Sequence, residues 1–292
     1  MLSVMKIKIS VDSTADLSKE LCEKYNIKVI PLCVNLGDNL YQDGVSITPD
    51  QIYEHVIKTK QLPKTSAVNT EAYRKEFEKI FASGYDAIIH FNLSSEMSVT
   101  HQNAKSLTED LKNLFVVDSH TLSTATALQA IYASELAQKE NMTPEEIIAK
   151  VEARKEFAQA SFVLDKLDYL YRGGRCSALA LFGANLLKIK PSIEVHNGKM
   201  SVGKKYFGKY ENCVMKYVKD TLEKYSNPDN TRIFITHTKI NPEIVEEVKK
   251  YLTENTKFKE ILETTAGATI TSHCGSNTLG ILFYTDGEEN HY

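Results

Sequence analysis

The residues best suited to bind a ligand lie near the C-terminal end of the chain, in the stretch 272–282. His273, Ser276 and Thr278 lie there with Gly280, between two apolar segments that have the composition of buried strands. Small residues let a ligand approach the backbone closely, and hydroxyl and imidazole groups can hydrogen bond to an anionic group. The stretch therefore predicts a pocket, although a glycine-containing turn beside a core histidine is a commoner origin of such a pattern.

Two hydroxyl-rich clusters in the first half of the chain are candidates for the same site. Thr65 lies in residues 64–70, between two helical patterns, and Ser94 and Ser95 lie where an apolar strand ends and a helix begins. The first N–H groups of a helix are unpaired and carry partial positive charge, so hydroxyls beside them can help to hold a phosphate or carboxylate. Serine is also a preferred N-cap, and taken alone capping is the commoner role. One hydroxyl can cap while its neighbour binds.

The other polar motifs give little support to a catalytic site or a metal site. Residues 12–14 and 118–120 end strands and contain fragments of a Ser/His/Asp set, but the nucleophile motif G-x-S-x-G is absent, so their carboxylates are predicted to form turns. The eight histidines show no H-x-x-x-H spacing, so the sequence predicts no metal site. Residues 172–175, Arg-Gly-Gly-Arg, lack the Gly-Lys-Ser/Thr ending of a phosphate-binding P-loop.

Basic residues dominate the stretch 172–209, in which Glu194 is the only acid. This excess predicts a positive face on the second half of the protein, suited to an acidic partner, phosphate groups or an anionic membrane surface. Scattered solvated lysines explain the pattern equally well. Arg175, Lys204 and Lys205 are the candidates for docking a partner or for lying near a bound headgroup.

The first half of the chain alternates predicted strands and helices. Strands are predicted at residues 6–11, 28–34, 87–91, 114–117 and 160–164. Helices are predicted after residue 12 through residue 25, from residue 48, and at residues 97–112, 123–138 and 143–157. Thr48 with Gln51, and Thr143 with Glu146, form capping-box patterns. Such alternation with short connections predicts a mainly parallel sheet with helices on both faces.

The second half has a different pattern, which predicts a second α/β domain with a mixed sheet. A small-residue helix is predicted at 177–187, and an Asn197-Gly198 turn predicts a hairpin of residues 191–195 and 199–202. Further strands are predicted at 232–236, 269–271 and 280–284, and a helix at 242–252. We therefore expect two tightly packed α/β domains, residues 1–164 and 165–292, with a ligand cleft between them.

Composition agrees with a soluble two-domain protein. The 292 residues are 42% hydrophobic and 25% charged, and the net charge of −3 provides no global attraction to nucleic acid. Five scattered cysteines without a C-x-x-C motif predict reduced thiols in a cytoplasmic protein. No apolar run has the length of a signal peptide or membrane span, which leads to the same expectation.

The order and spacing of these motifs resemble the DegV family of bacterial fatty-acid-binding proteins, which includes the lipid-carrying subunits of fatty acid kinase. The matching motifs are residues 12–17, Thr65-Ser66, Ser94-Ser95 with Ser98 and Thr100, Asp118-Ser119, residues 173–175, Lys190-Pro191 and residues 273–280. The resemblance implies two α/β domains with a fatty acid in a tunnel between them. It also implies that Thr65 and Ser95, or Ser94, hold the carboxylate, with His273 nearby.

The chain departs from the family pattern at three places. Ala67-Val68 follow Thr65-Ser66 where members usually have Gln-Pro, and Lys204-Lys205 lie where kinase-partner subunits commonly carry arginines. Glu96 follows the serine pair, and because it would repel a carboxylate we expect it to point outward.

We predict from the resemblance a non-catalytic protein that sequesters a long-chain fatty acid such as palmitate, stearate or oleate. No cofactor or metal is implied, and the partners implied are a fatty acid kinase and, transiently, a membrane. Burial of about 16 carbons at roughly 0.8 kcal/mol per methylene is on the order of 12 kcal/mol before ordering costs, enough for a carrier. The alternative is an enzyme acting on a small anionic metabolite with His273 as general acid/base.

Overall fold

The computed structural model describes residues 5–139, 142–179 and 189–287. Its strands are β1 Ile7–Asp12, β2 Ile27–Ile30, β3 Cys33–Leu36, β4 Asn39–Gln42, β5 Lys64–Ser66, β6 Ala87–Asn92, β7 Leu114–Asp118, β8 Ala158–Gln159, β9 Ser161–Leu164, β10 Lys190–His196, β11 Lys199–Tyr206, β12 Arg232–His237, β13 Glu260–Thr265 and β14 Thr278–Tyr284. Its α-helices are α1 Lys19–Lys24, α2 Pro49–Thr59, α3 Thr70–Ala82, α4 Thr100–Lys105, α5 Thr124–Ala137, α6 Pro144–Arg154, α7 Asp168–Gly173, α8 Tyr210–Lys224, α9 Pro242–Asn255 and α10 Ala268–Cys274, with 3-10 turns at Ser13–Ala15 and Lys155–Phe157.

The first sheet has the strand order β2-β1-β6-β7, and all its strand pairs are parallel. Strand β6 is buried at every position, as expected for a parallel strand covered on both faces. The carboxyl ends of three strands, at Asp12, Asn92 and Asp118, lie at one edge of the sheet. The predicted parallel sheet is thereby confirmed, and its loops at this edge are positioned to build a site.

The second sheet is mixed, as predicted, with the order β11-β10-β9-β14-β12-β13 and β8 paired to β14. Only β12 and β13 among these strands are parallel neighbours in the described residues. Strand β14, the last strand of the described residues, lies between β9 and β12. The Asn197-Gly198 turn joins β10 and β11 in the predicted hairpin.

Helix α5 connects the two sheets, because it packs on β1 of the first and on β8 and β14 of the second. Nearly all of its residues are buried, and one apolar core continues from Ile9 and Phe91 to Phe234 and Leu282. The division after residue 164 stays a proposal. Since β8 and β9 already pair within the second sheet, strand pairing favours a division before Ala158.

Several local predictions are wrong for identifiable reasons. Residues 28–34 divide into β2 and β3 because Pro31, which has no N–H, lies between them, and β3 joins a separate antiparallel sheet in the order β4-β3-β5. Residues 269–271 are β-branched, but they form α10 because the Asp43 carboxylate accepts the N–H groups of Ala268 and Thr269 at the start of that helix.

Other helix boundaries also differ from the prediction. The helix at 97–112 is limited to α4, and the segment from residue 12 to 25 divides into a 3-10 turn and α1. Helices α2 and α6 begin at the predicted capping boxes, which are present at Thr48 and Thr143. The predicted helix at 177–187 lies, from residue 180 on, outside the described residues, as does Lys188 of the basic stretch.

Candidate functional site

Two of the predicted site residues meet across the fold. Thr65 lies on β5, which pairs with β3 opposite Val34, and His273 lies near the end of α10. The Thr65 hydroxyl Oγ1 is 2.8 Å from His273 Nε2, although the residues are 208 positions apart in the chain. The small β4-β3-β5 sheet and α10 pack together and thereby place both side chains at one point.

The imidazole of His273 is held in its neutral form. Burial, with a smaller contribution from the positive charge of Arg175, lowers the pKa of His273 from 6.5 to about 4. Its Nδ1 atom is buried and has no hydrogen-bond partner among the described residues. A Cβ atom placed on Gly173 would lie 2.4 Å from Nδ1, so glycine is needed at that position for the ring to fit.

Arg175 lies beside this pair, just after α7. Its Nη1 donates to the Gly173 carbonyl at 2.6 Å, and its Nε donates to the Met97 carbonyl at 3.4 Å. The guanidinium thus bridges the end of α7 and the loop that follows β6.

Two cavities adjoin at the Thr65–His273 pair. The outer cavity, of about 390 Å³, is lined by Lys64 and Arg172 and by Thr65, Arg175 and His273. The inner cavity, of about 50 Å³, is lined by the last three residues as well. Thr65, Arg175 and His273 therefore form a polar boundary between a basic outer space and a narrow inner one.

A third, deep cavity of about 30 Å³ continues from the inner one toward the second sheet. Leu122, Ile270 and Cys274 line both the inner and the deep cavity, so they form the neck between them. The deep cavity is bordered by Phe162 of β9 and by Leu282 of β14, as well as other mostly small or apolar side chains. The path thus leads from a basic outer cavity across the polar boundary into two cavities that are lined mainly by apolar or small side chains.

The serine pair lies apart from the Thr65–His273 pair. Ser94 is fully buried and donates to the Gly198 carbonyl at 2.8 Å, where the β10–β11 turn meets the loop after β6. Ser95 is exposed, and its N–H lies 3.2 and 3.3 Å from the two oxygens of the Asp118 carboxylate. In the described part of the protein, neither serine lines the inner or the outer cavity.

The Asp118 carboxylate, which accepts hydrogen bonds from the Ser95 loop, is ionised. Burial acts to raise the pKa of Asp118, but hydrogen bonds from Ser95 and from the His120 N–H outweigh it and lower the pKa below its ordinary value. Glu96 points outward, as expected, and pairs with Lys199 of the β10–β11 hairpin at 3.3 Å.

The two candidate docking lysines lie on β11. Lys204 pairs with Asp220 of α8 at 2.8 Å and lines a separate groove between α8 and the hairpin. Lys205 is exposed and lies opposite Pro191 in the strand ladder. The structure thus separates these lysines from the polar boundary, whereas Arg175 is part of it.

Four polar residues that the sequence did not mark as ligands line the inner cavity: Thr14, Ser66, Ser98 and Thr269. Ser98 is hydrogen bonded to Thr100 at 2.8 Å. Thr14 and Ser98 belong to motifs that carried the family resemblance, so the sequence contained a signal by which these two residues could have been selected. Thr269 had none, because its segment resembled a strand rather than a helix.

The described residues contain neither a candidate metal site nor a candidate membrane span. No group of three or more His, Cys, Asp or Glu side chains is arranged to hold a metal ion there. None of the helices in those residues combines the length and the hydropathy that crossing a membrane requires.

Comparison with known proteins gives a consistent answer. The fatty acid-binding protein of Thermotoga maritima is 32% identical over 291 residues, which cover 94% of this chain and 96% of that protein. The solved structure of fatty acid binding by a DegV family protein from Thermus thermophilus superposes with a TM-score of 0.87 at 25% identity, covering 96% of this chain and 100% of that one. The structure of a stearic acid-binding protein from Eubacterium ventriosum superposes with a TM-score of 0.80 at 27% identity. The superposition covers 95% of this chain and 98% of that one. The family model described as "Uncharacterised protein, DegV family" matches residues 6–286. This chain belongs to the DegV family.

Proposed function

We propose that this protein binds a long-chain fatty acid, with the carboxylate at the polar boundary and the acyl chain directed through the inner cavity into the deep one. The observation that carries the proposal is the order along this path: a basic outer cavity, then the polar boundary, then two cavities lined mainly by apolar or small side chains. An acid with a long apolar tail has the same order of chemistry along its length. The relatives named as fatty acid-binding proteins support it.

Binding of the tail requires the apolar path to widen. On the scale of these volumes about 10–15 Å³ holds one water molecule. The inner and deep cavities, of about 50 and 30 Å³, therefore hold only a few water molecules, too little space for a chain of about 16 carbons. Met97 and Met200 line the inner cavity and Ile270 lines the neck. Methionine side chains change rotamer at low cost, so these walls can rearrange around a tail.

The surroundings of His273 favour a carrier over an enzyme. A general base is normally oriented by a partner on its second ring nitrogen. Nδ1 of His273 has no such partner among the described residues and faces Gly173. The Thr65–His273 pair can instead hydrogen bond to a carboxylate, a role that needs no proton transfer.

The outer cavity suits presentation of the carboxylate to a phosphoryl-transfer partner such as a fatty acid kinase. Lys64, Arg172 and Arg175 line it, and no acid does so in the described residues. Three positive charges favour the approach of phosphate groups toward the polar boundary. Lys204 and Lys205 are proposed to extend the docking face, and transient contact with a membrane is part of the same proposal as the source of the lipid.

Lipid content tests the central proposal directly. We expect protein purified from bacteria to release a fatty acid on organic extraction under denaturing conditions, detected by mass spectrometry. Thr65→Val removes the hydroxyl that pairs with His273, and it should lower palmitate affinity about ten- to hundredfold, the effect of losing a hydrogen bond to a charged group. Thr253→Val, at an exposed position on α9, is the control and should bind normally.

Two results would contradict the proposal. One is wild-type protein that carries no lipid and also fails to bind added palmitate or oleate. The other is equal palmitate affinity for wild type, Thr65→Val and the control, which would exclude the polar boundary as the headgroup site.

A further inference from the structure

The inner cavity contains two buried hydroxyl groups that have no hydrogen-bond partner among the described residues. They are Thr14 Oγ1 and Thr269 Oγ1, on side chains of residues that are 1% and 4% exposed. Buried polar atoms in proteins are nearly always paired, and each exception needs an explanation. Because both threonines line the inner cavity, a ligand bound there would supply the missing partner.

The fold fixes both hydroxyls in place without using them. Thr14 lies in the 3-10 turn after β1, and Thr269 lies in the first turn of α10. The Asp43 carboxylate joins the two elements, since it accepts Ser13 Oγ at 3.0 Å and the N–H groups of Ala268 and Thr269 at 2.7 and 3.0 Å. The backbone is therefore satisfied, and the threonine hydroxyls are left to face the cavity.

The hydroxyls marked by sequence are, in contrast, already engaged. Thr65 is bonded to His273, Ser94 to the Gly198 carbonyl, and Ser95 to Asp118. Thr269 lies four residues before His273 on α10, so the two side chains share one face of the helix. The unpaired donor and the imidazole thus point toward the same space.

We infer that Thr14 and Thr269 are further carboxylate-binding residues, whose hydroxyls donate to the oxygens of the bound fatty acid. The inference rests on the proposed fatty acid binding and adds the groups that hold the acid. A carboxylate has about four acceptor sites, so it can accept both hydroxyls and the Thr65–His273 pair together. Arg175 lines the same cavity and offsets the repulsion that Asp43 exerts on a second carboxylate.

Valine substitution separates ligand binding from a structural role, because valine keeps the shape of threonine and removes the hydroxyl. An unpaired buried hydroxyl destabilises the fold. Thr14→Val and Thr269→Val should therefore raise the unfolding midpoint of the lipid-free protein. At the same time each should lower palmitate affinity about tenfold or more, the effect of losing a hydrogen bond to a charged acceptor. The loss should be smaller for methyl palmitate, whose headgroup is uncharged.

Thr121→Val is the matched control. Thr121 is 3% exposed and its Oγ1 also lacks a partner in the described part of the chain, but it does not line the inner, outer or deep cavity. Its replacement should raise the unfolding midpoint in the same way and leave palmitate affinity unchanged.

The outcomes distinguish the inference from the function on which it rests. If wild type fails to bind palmitate, fatty acid binding itself is wrong and the inference falls with it. If wild type binds and the Thr14→Val/Thr269→Val double variant binds equally well, only the inference is overturned. Variants that unfold more easily than wild type would assign the hydroxyls to the fold and overturn it as well.

Discussion

Two buried polar clusters lie at the same edge of the first sheet, and they differ in how far their hydrogen bonds are completed. The core cluster consists of Ser10, Asp12, Tyr73, His90 and Asn92, all fully buried. The cavity cluster consists of Thr14, Thr269 and His273, which line the inner cavity. The first cluster lies within the core, and the second is the one that we propose for the ligand.

Nearly every polar atom of the core cluster has a partner. The Asp12 carboxylate accepts Tyr73 Oη at 2.5 Å and Asn92 Nδ2 at 3.0 Å, and the His90 ring lies between Ser10 and Asp12 at 2.9 and 3.3 Å. Asn92 Oδ1 is the one unpaired side-chain atom of these five residues. In the cavity cluster, by comparison, each of the three residues has an unpaired atom. The cavity cluster is thus distinguished by unpaired atoms together with a position on the cavity wall, since unpaired atoms such as Thr121 Oγ1 also occur away from the cavities.

The largest effect should come from breaking the core cluster. Asp12→Ala removes the acceptor of Tyr73 and Asn92 and also frees the Leu93 N–H. Removing one partner of a buried charged network typically lowers the free energy of unfolding by about 3–5 kcal/mol. Urea unfolding measures this loss of free energy. Glu78→Ala, which replaces an exposed acid on α3, is the control. A loss below about 1 kcal/mol would show that the network is not structural.

The next effect concerns pH, and it sharpens the comparison because two groups near the cavity titrate in opposite senses. The folded pKa of His273, about 4, is below its ordinary value of 6.5, so its contribution to stability is lost as pH falls from about 6.5 to about 4. Burial raises the pKa of Asp16 from 3.8 to about 7, so protonated Asp16 stabilises the fold and this contribution is lost as pH rises from about 4 to about 7. Each of these two contributions to the free energy of unfolding is at most about 3–4 kcal/mol.

The two dependences should largely offset each other in the wild type. His273→Gln should leave a protein whose stability decreases as pH rises from 4 to 7, and Asp16→Asn one whose stability increases over the same range. Urea unfolding at pH 4.5, 5.5 and 7 checks both slopes. Identical pH profiles for wild type and the two variants would rule out these assignments.

A smaller effect is expected from Gly173→Ala. The added methyl group would lie 2.4 Å from His273 Nδ1, so the ring must move and its bond to Thr65 must lengthen. Overpacking of this kind lowers the free energy of unfolding by about 1–3 kcal/mol, and palmitate affinity should fall with it. In a His273→Ala background the same substitution should have no effect, which a double-mutant cycle measures.

The smallest effect is expected from Ser95→Ala. Because Ser95 is exposed and bonded to Asp118, we expect a loss of stability of about 1 kcal/mol or less and no change in palmitate affinity. The role drawn from the family resemblance requires instead a ten- to hundredfold loss of affinity. Melting temperature and lipid affinity measured on the same variant decide between the two.

The sequence predicted those features that depend on local chemistry or on ordered motifs. The parallel and mixed sheets follow from the alternation of elements, and α2 and α6 from their capping boxes. The meeting of Thr65 with His273 agrees with the family resemblance and was not visible in spacing alone. Asp12 was predicted to form a turn but lies in the core cluster, because its partner Tyr73 comes from a distant helix.

The unpaired hydroxyls could not have been predicted. Whether Thr14 or Thr269 has a partner depends on what the rest of the fold leaves beside it, and no pattern of residue types records that. Helix α10 itself was missed because its first N–H groups are accepted by Asp43, more than 200 positions earlier in the chain.

The central position of β14 has a consequence for synthesis of the protein. Until residue 284 has left the ribosome, β9 and β12 have no neighbour between them, and the deep cavity lacks the wall that Gly280 and Leu282 provide. We therefore expect the nascent chain to carry two unpaired strand edges, which favour aggregation, and to be unable to accept a lipid before β14 emerges. A chain that terminates before β14 should depend on chaperones even though its first sheet is complete.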